Sequence, residues 1–202
     1  MDLRLLEAEP NDEEREAIDA RLSPAASGGE GSEREASHFA AGLGRERRHL
    51  LLPALQSVQS RVGWISEGAL NYVCKRLGVP PADAYGVATF YALLSMAPRP
   101  RRVLHVCDDI ACRCRGANEL IQDLERTLGS PAEHGSECDH VELDENGAIW
   151  LRSPCLGLCD QAPAAFLTVA GRTPTERLFG PVTAEQARAA LAGEAAASAP
   201  HS

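Results

Sequence analysis

Four of the seven cysteines in this 202-residue chain stand in two close pairs, Cys107-x4-Cys112 and Cys155-x3-Cys159. Thiolates are soft ligands, and each ferric ion of a [2Fe-2S] cluster takes two of them beside two bridging sulfides, so a diiron centre needs four cysteines presented as two pairs. A tetrahedral zinc site with four cysteine ligands fits the same spacing, and on spacing alone both readings stand. A thioredoxin-like thiol catalyst is disfavoured: no C-x-x-C occurs, and the nearest pair, Cys112-x-Cys114, has a different spacing. Cys114 reads as a spectator, and Cys74 and Cys138 as structural. Ile110, Leu156 and Leu158 are expected to form a low-polarity shell around the site. Asp108 and Asp109 are expected to disfavour adding an electron to it.

The elements that must hold these loops follow from periodicity. Arg101 to Val106 is a β-rich run leading into Cys107, and Ala148 to Leu151 is a second leading towards Cys155, so both pairs are placed on loops leaving strand ends. Gly157 permits a tight or left-handed turn between the second pair. Ala117 to Leu128 is an amphipathic helix with Leu120, Ile121, Leu124 and Leu128 inward and Gly129 as its stop. His140 to Leu143, the turn Asp144-Glu145-Asn146-Gly147 and Ala148 to Leu151 read as a hairpin. Ala165 to Val169 is another strand, and Thr183-x-x-Gln186 is a capping box opening a helix from Ala184 to Leu191. The alternation makes this part an α/β layer.

Before residue 98 the pattern is helical. Arg47 to Val62 is a helix that tolerates Pro53 near its start, and GWIS supplies the turn after it. Ser66 caps the next helix, whose apolar face is Leu70, Val73, Cys74 and Leu77, ended by Gly78 and Pro80-Pro81. A third helix covers part of Ala82 to Leu94. Its stretch Tyr85 to Met96 is read as helical core rather than a partner surface. Arg99, Arg101 and Arg102 read as a solvated strand entrance, and His105 as a satisfied histidine within a strand. The domain plan is a flexible acidic leader over 1–36 with a short helix near 11–21, a helical domain over 37–98, an α/β domain over 99–192 and a flexible tail over 193–202.

Charge and composition exclude several classes. The formal charge of −9 argues against general affinity for nucleic acid or anionic membrane. Residues 1–36 hold eleven acidic and four basic side chains, so the rest of the chain is almost balanced. The N-terminus lacks the basic-then-apolar pattern of a secretory signal, so the cytosol is the expected compartment, and no stretch is apolar enough to enter a bilayer directly. Gly42-Leu43-Gly44 is not set between strand and helix and is a poor nucleotide fingerprint. No catalytic group or substrate site is expected in the chain itself.

Five segments, in order, carry a family resemblance: GWISEGALNYVCKRLGVPP, DAYGVATFYALL, HVCDDIACRCRGANEL, PCLGLCDQAPA and FGPVTAEQARAAL. From about Leu51 to Leu191 the chain resembles the E-type subunits of bacterial NADH-quinone oxidoreductase, which form part of the peripheral arm of respiratory complex I. Equivalent subunits occur in NAD-linked formate dehydrogenases and hydrogenases. The resemblance implies a helical N-terminal domain followed by a thioredoxin-like ferredoxin domain, and one [2Fe-2S] cluster on Cys107, Cys112, Cys155 and Cys159. It implies an electron-transfer subunit whose partner flavoprotein holds FMN and the NAD(P)H site, with further iron-sulfur subunits beyond it and only peripheral membrane association through the complex. Pro154 departs from the acidic residue common before the third ligand, and Cys114 is an extra thiol. A free-standing ferredoxin and a zinc-stabilised adaptor are the other readings of the residues.

Overall fold

A computed structural model describes residues 8–23, 47–132 and 147–193. The chain divides after Met96 into two compact units. In the first, α1 (Asp12–Leu22), α2 (Leu51–Val62, entered through a 3-10 turn at Arg48–Leu50), α3 (Glu67–Leu77) and α4 (Pro81–Phe90) are the helices among the described residues. Pro53 sits in the first turn of α2, where its missing N–H has no helical partner to lose. Gly63 closes that helix with φ +104°, a conformation costly for any residue with a Cβ. The Ser66 hydroxyl accepts from the Ala69 amide at 3.0 Å, and Gly78 ends α3 in the left-handed region. Pro81 opens α4 at its first position, where a fixed φ suits the helix.

The acidic leader is a helix for part of its length, and that helix is packed. The Asn11 side chain accepts from the Glu14 amide at 2.8 Å while the Glu14 carboxylate accepts from the Asn11 amide at 2.9 Å. Asp12, Glu13 and Glu14 then occupy the positive end of the helix dipole, so charges that read as solvating a flexible segment favour this helix instead. Ile18 and Leu22, one turn apart, are buried with Leu55, Val58, Leu70 and Val73. Arg61 on α2 pairs with Glu13 at 3.1 Å and Glu16 at 2.8 Å. The short helix expected near residues 11–21 is therefore present as Asp12–Leu22, and it is packed against the helical core. Ile18→Ala is expected to destabilise this unit by about 2–5 kcal/mol, read as a lower thermal or urea midpoint. A midpoint equal to the parent's would mean that α1 is not docked in solution.

The expected core role of Tyr85 to Met96 holds only in part. Leu94 and Met96 pack against the helical core, whereas Tyr85, Phe90, Tyr91 and Leu93 remain exposed, Phe90 by 80%. Ala84 and Ala88, four apart, are the buried face of α4, and the aromatics lie off that face.

The second unit is a mixed sheet with order β2-β1-β3-β4, built from β1 (Arg102–Cys107), β2 (Ala148–Ser153), β3 (Ala165–Val169) and β4 (Thr175–Phe179). β2 runs parallel to β1, while β3 is antiparallel to both β1 and β4. Its helices among the described residues are a short α5 (Ile110–Arg113), α6 (Ala117–Leu128) and α7 (Ala184–Ala192). Leu120, Ile121 and Leu124 of α6 and Ala187, Ala190 and Leu191 of α7 pack with Leu104, Val106, Trp150 and Leu167 of the sheet. The capping box forms, with Gln186 N–H donating to the Thr183 hydroxyl at 3.3 Å and Thr183 N–H to the Gln186 side chain at 2.9 Å. Arg102 is half-buried and donates to the Ala190 carbonyl at 3.1 Å, satisfying the end of α7, so it is not the solvated residue its sequence context suggested. The expected strand His140 to Leu143 and its turn up to Asn146 lie outside the described residues, as do Gly42-Leu43-Gly44 and Cys138.

Candidate metal centre

β1 delivers Cys107 as its last residue, with its side chain only 2% exposed and its amide donating to the Ala164 carbonyl at 3.0 Å. The first thiol is thus fixed by the sheet itself rather than by a loop. One residue on, Asp108 N–H donates to the Ser153 carbonyl at 2.9 Å, which extends the β1–β2 ladder by one bond. Asp109 then caps α5, and Cys112 is buried within that helix. Cys107 and Cys112 pack together in one buried cluster. Burial, followed by the Cys107 contact, pushes the Cys112 thiol up to about 11.

The second pair leaves the same end of the neighbouring strand. Cys155 follows β2 by two residues, Gly157 turns the chain with φ +83°, and Cys159 opens a 3-10 turn, Cys159–Gln161. The Sγ atoms of Cys155 and Cys159 are 3.4 Å apart, and both residues are exposed. The hydrogen bond with Cys155 raises the Cys159 pKa, and the charges of Cys155, Cys107 and Asp109 raise it further. Among the described residues no three His, Cys, Asp or Glu side chains gather as they would around one ion. The thiols stand two and two, Cys107 with Cys112 and Cys155 with Cys159, at the ends of adjacent strands. Two thiols per metal is the demand of a diiron centre, so the donor set fits a [2Fe-2S] group. Loading it must release the thiol protons that burial and pairing hold in place.

The surroundings correct one expectation, on Ile110, and add neighbours to a second, on Asp108. Leu156 and Leu158 pack against Cys107, Cys112, Ala117, Ala162 and Ala164, but Ile110 is 77% exposed and takes no part in that wall. Asp108 is not a bare negative charge, because Arg113 lies 2.8 Å and Arg152 3.5 Å from its carboxylate. Arg152 also pairs with Glu125 of α6 at 2.5 Å, tying this network to the helix layer. Two neighbouring cations offset the field that Asp108 would otherwise impose on added electrons. Cys114 is exposed at the end of α5, and Cys74 is buried in the helical unit with its thiol pushed up to about 11, chiefly by burial. His105 is fully buried within β1, its ring 6.3 Å from that of Phe166.

Three supports of the site escape sequence reading. Asp109 contacts both thiol loops, Ala162 and Ala164 wall the buried pair, and Gly180 lies against the turn that carries Cys159. An aspartate directly before a short helical run is a capping signal and could have marked the first. The other two are tertiary contacts with no local signature.

The pattern of the thioredoxin-like [2Fe-2S] ferredoxins matches residues 36–193. This chain belongs to that family. The ferredoxin is 30% identical over 135 residues to the E-type subunit of NADH-quinone oxidoreductase from Pseudomonas aeruginosa, a match covering 67% of this chain and 74% of that one. It is 35% identical over 131 residues to the second E-type subunit of NADH-quinone oxidoreductase from Rhizobium meliloti, covering 64% and 73% of the two chains. An air-oxidized NAD+-reducing [NiFe]-hydrogenase shares the fold, with a TM-score of 0.50 at 22% identity over 71% of the ferredoxin. The ferredoxin spans only 22% of that hydrogenase chain. No helix among the described residues is long and apolar enough to cross a membrane.

Proposed function

We propose that this ferredoxin is an electron-transfer subunit of an NADH-linked oxidoreductase complex, with one [2Fe-2S] cluster held by Cys107, Cys112, Cys155 and Cys159. The observation that carries the reading is the pairing of thiols at the common end of two adjacent parallel strands, within a chain whose family match spans both pairs. When bound, such a cluster supplies a one-electron site, suited to exchanging single electrons with a flavin. The chain's own residues do the holding. The β1–β2 ladder aligns the loop bases, α5 presents Cys112, and Leu156 and Leu158 restrict water at the buried pair. Hydride chemistry belongs to a partner flavoprotein carrying FMN and the NAD(P)H site, with other iron-sulfur subunits beyond it. The setting expected for such a complex is the cytoplasm, peripheral to the membrane. The helical unit ending at Met96 supports assembly into a complex over a diffusing carrier, which would need only the cluster-bearing unit.

Anaerobic purification of the full chain is expected to give about two irons and two acid-labile sulfides per chain and an EPR signal after dithionite reduction. Stoichiometric zinc without sulfide would establish the adaptor reading instead. Co-purification from the native source is expected to bring down a flavoprotein. Membrane subunits in the same eluate would mark a quinone reductase, and a nickel or molybdenum subunit would mark a hydrogenase or formate dehydrogenase.

A further inference from the structure

We infer that Asp109 is a positioning residue that sets the spacing between the two thiol loops by sharing one carboxylate between their backbone amides. Its Oδ1 accepts from the Ile110 amide at 2.7 Å, at the start of the helix that presents Cys112. Its Oδ2 accepts from the Cys155 amide at 3.2 Å, in a loop 46 residues further along the chain. Strand pairing stops at Cys107 and Ser153, and the last backbone bond between the two loops is from Asp108 to Ser153. Beyond that point the Asp109 carboxylate continues the cross-link that the sheet can no longer supply.

The chemistry demands this residue type. Both oxygens of an ionised carboxylate accept, whereas an asparagine offers one oxygen and would set its NH2 donor against the second amide. Hydrogen bonds to an ionised acceptor are also stronger than neutral ones. An amide held by Asp109 does not turn towards a sulfur, so the bridge fixes the orientation of the Cys155 backbone as well as its distance. Asp108, engaged by Arg113 and Arg152, cannot substitute for it.

The inference rests on the four-thiol ligand assignment, and the experiment separates the two. Full-length parent, Asp109→Asn, Asp109→Ser and Asp109→Glu proteins are purified anaerobically and compared in three ways: rate of cluster loss under chelator, EPR line shape after reduction, and hydrogen exchange of the Cys155 amide in the metal-free chain. Asp109→Asn and Asp109→Ser are expected to lose the cluster on the order of tenfold faster, in line with other outer-shell supports. They should also show altered g-values and faster exchange at Cys155. Asp109→Glu keeps two acceptors and should recover part of each effect. Parent-like cluster loss and EPR in Asp109→Asn would overturn the positioning role. Unchanged Cys155 exchange in the metal-free variants would overturn the bridge itself, whatever the cluster does. A parent without iron or sulfide would instead overturn the ligand assignment, and the positioning role with it.

Discussion

Cys107→Ser is expected to strip the protein of its [2Fe-2S] cluster, lowering iron and acid-labile sulfide per chain by more than about tenfold. Loss of outer-shell support alone costs ~10–100-fold in metal affinity, and a first ligand costs more. Serine is close in size but presents a hard, weakly acidic oxygen where a thiolate is required. Cys107 offers little room for adjustment, since it is 2% exposed and its backbone is held in the sheet by Ala164. Cys112→Ser should behave in the same way. Cys114→Ser serves as the matched control, because Cys114 is exposed and outside both pairs. Iron, sulfide and visible absorbance measured on all three variants decide the matter. A Cys107→Ser protein with parental iron and sulfide would remove Cys107 from the ligand set, and a colourless Cys114→Ser protein would add a ligand.

Gly180→Ala is expected to destabilise the ferredoxin unit more than any other single methyl addition near the site. A Cβ built there would lie 2.1 Å from the Gln161 carbonyl oxygen and 3.1 Å from that of Pro163. Both contacts are backbone, so no side-chain rotation relieves them. Gln161 ends the turn that begins at Cys159, and the displaced carbonyl therefore pulls on a thiol. Overpacking typically costs 1–3 kcal/mol, and a backbone obstacle places this case near or above about 3 kcal/mol. At roughly 4–8 °C per kcal/mol for a unit of this size, the melting temperature should fall by more than about 10 °C. Gly171→Ala, where the added atom meets nothing within 4 Å, should leave the midpoint nearly unchanged. Equal midpoints for the two variants would show that the chain between Gln161 and Gly180 relaxes freely.

What is legible in the sequence is periodic or capped. Ala117–Leu128 and Ala165–Val169 appear at the expected bounds because one apolar face or one β-branched run suffices to specify them. The Thr183–Gln186 box and the Ser66 cap form for equally local reasons. β4 escapes because Thr-Glu-Arg-Leu-Phe is a mostly exposed edge strand, held by pairing with β3 rather than by an apolar face. α5 escapes because four residues are too few to show a period. The aromatic run at Phe90 and Tyr91 misleads for the converse reason, since residue type alone says nothing about which side of a helix the fold leaves open. At the site, the four cysteines are visible as pairs. Their electrostatic surroundings are not, because Arg152 is 44 residues from Asp108 and Asp109 is 46 from Cys155.

The parallel pairing of β1 with β2 has a further result for how the chain tolerates change. In parallel neighbours both strands finish at one edge, here with Cys107 beside Ser153, and both start at the other, with Arg102 beside Ala148. β2 therefore begins roughly 17 Å from its sulfur-bearing end, at ~3.3 Å per strand residue, while Ala132, just beyond α6, bridges Leu151 nearer that end. Six paired positions of the β1–β2 ladder stand between the two edges and insulate the metal end from events at the far one. Changes at Arg102 or Ala148 can thus be absorbed at that edge while the sulfur geometry stays in register.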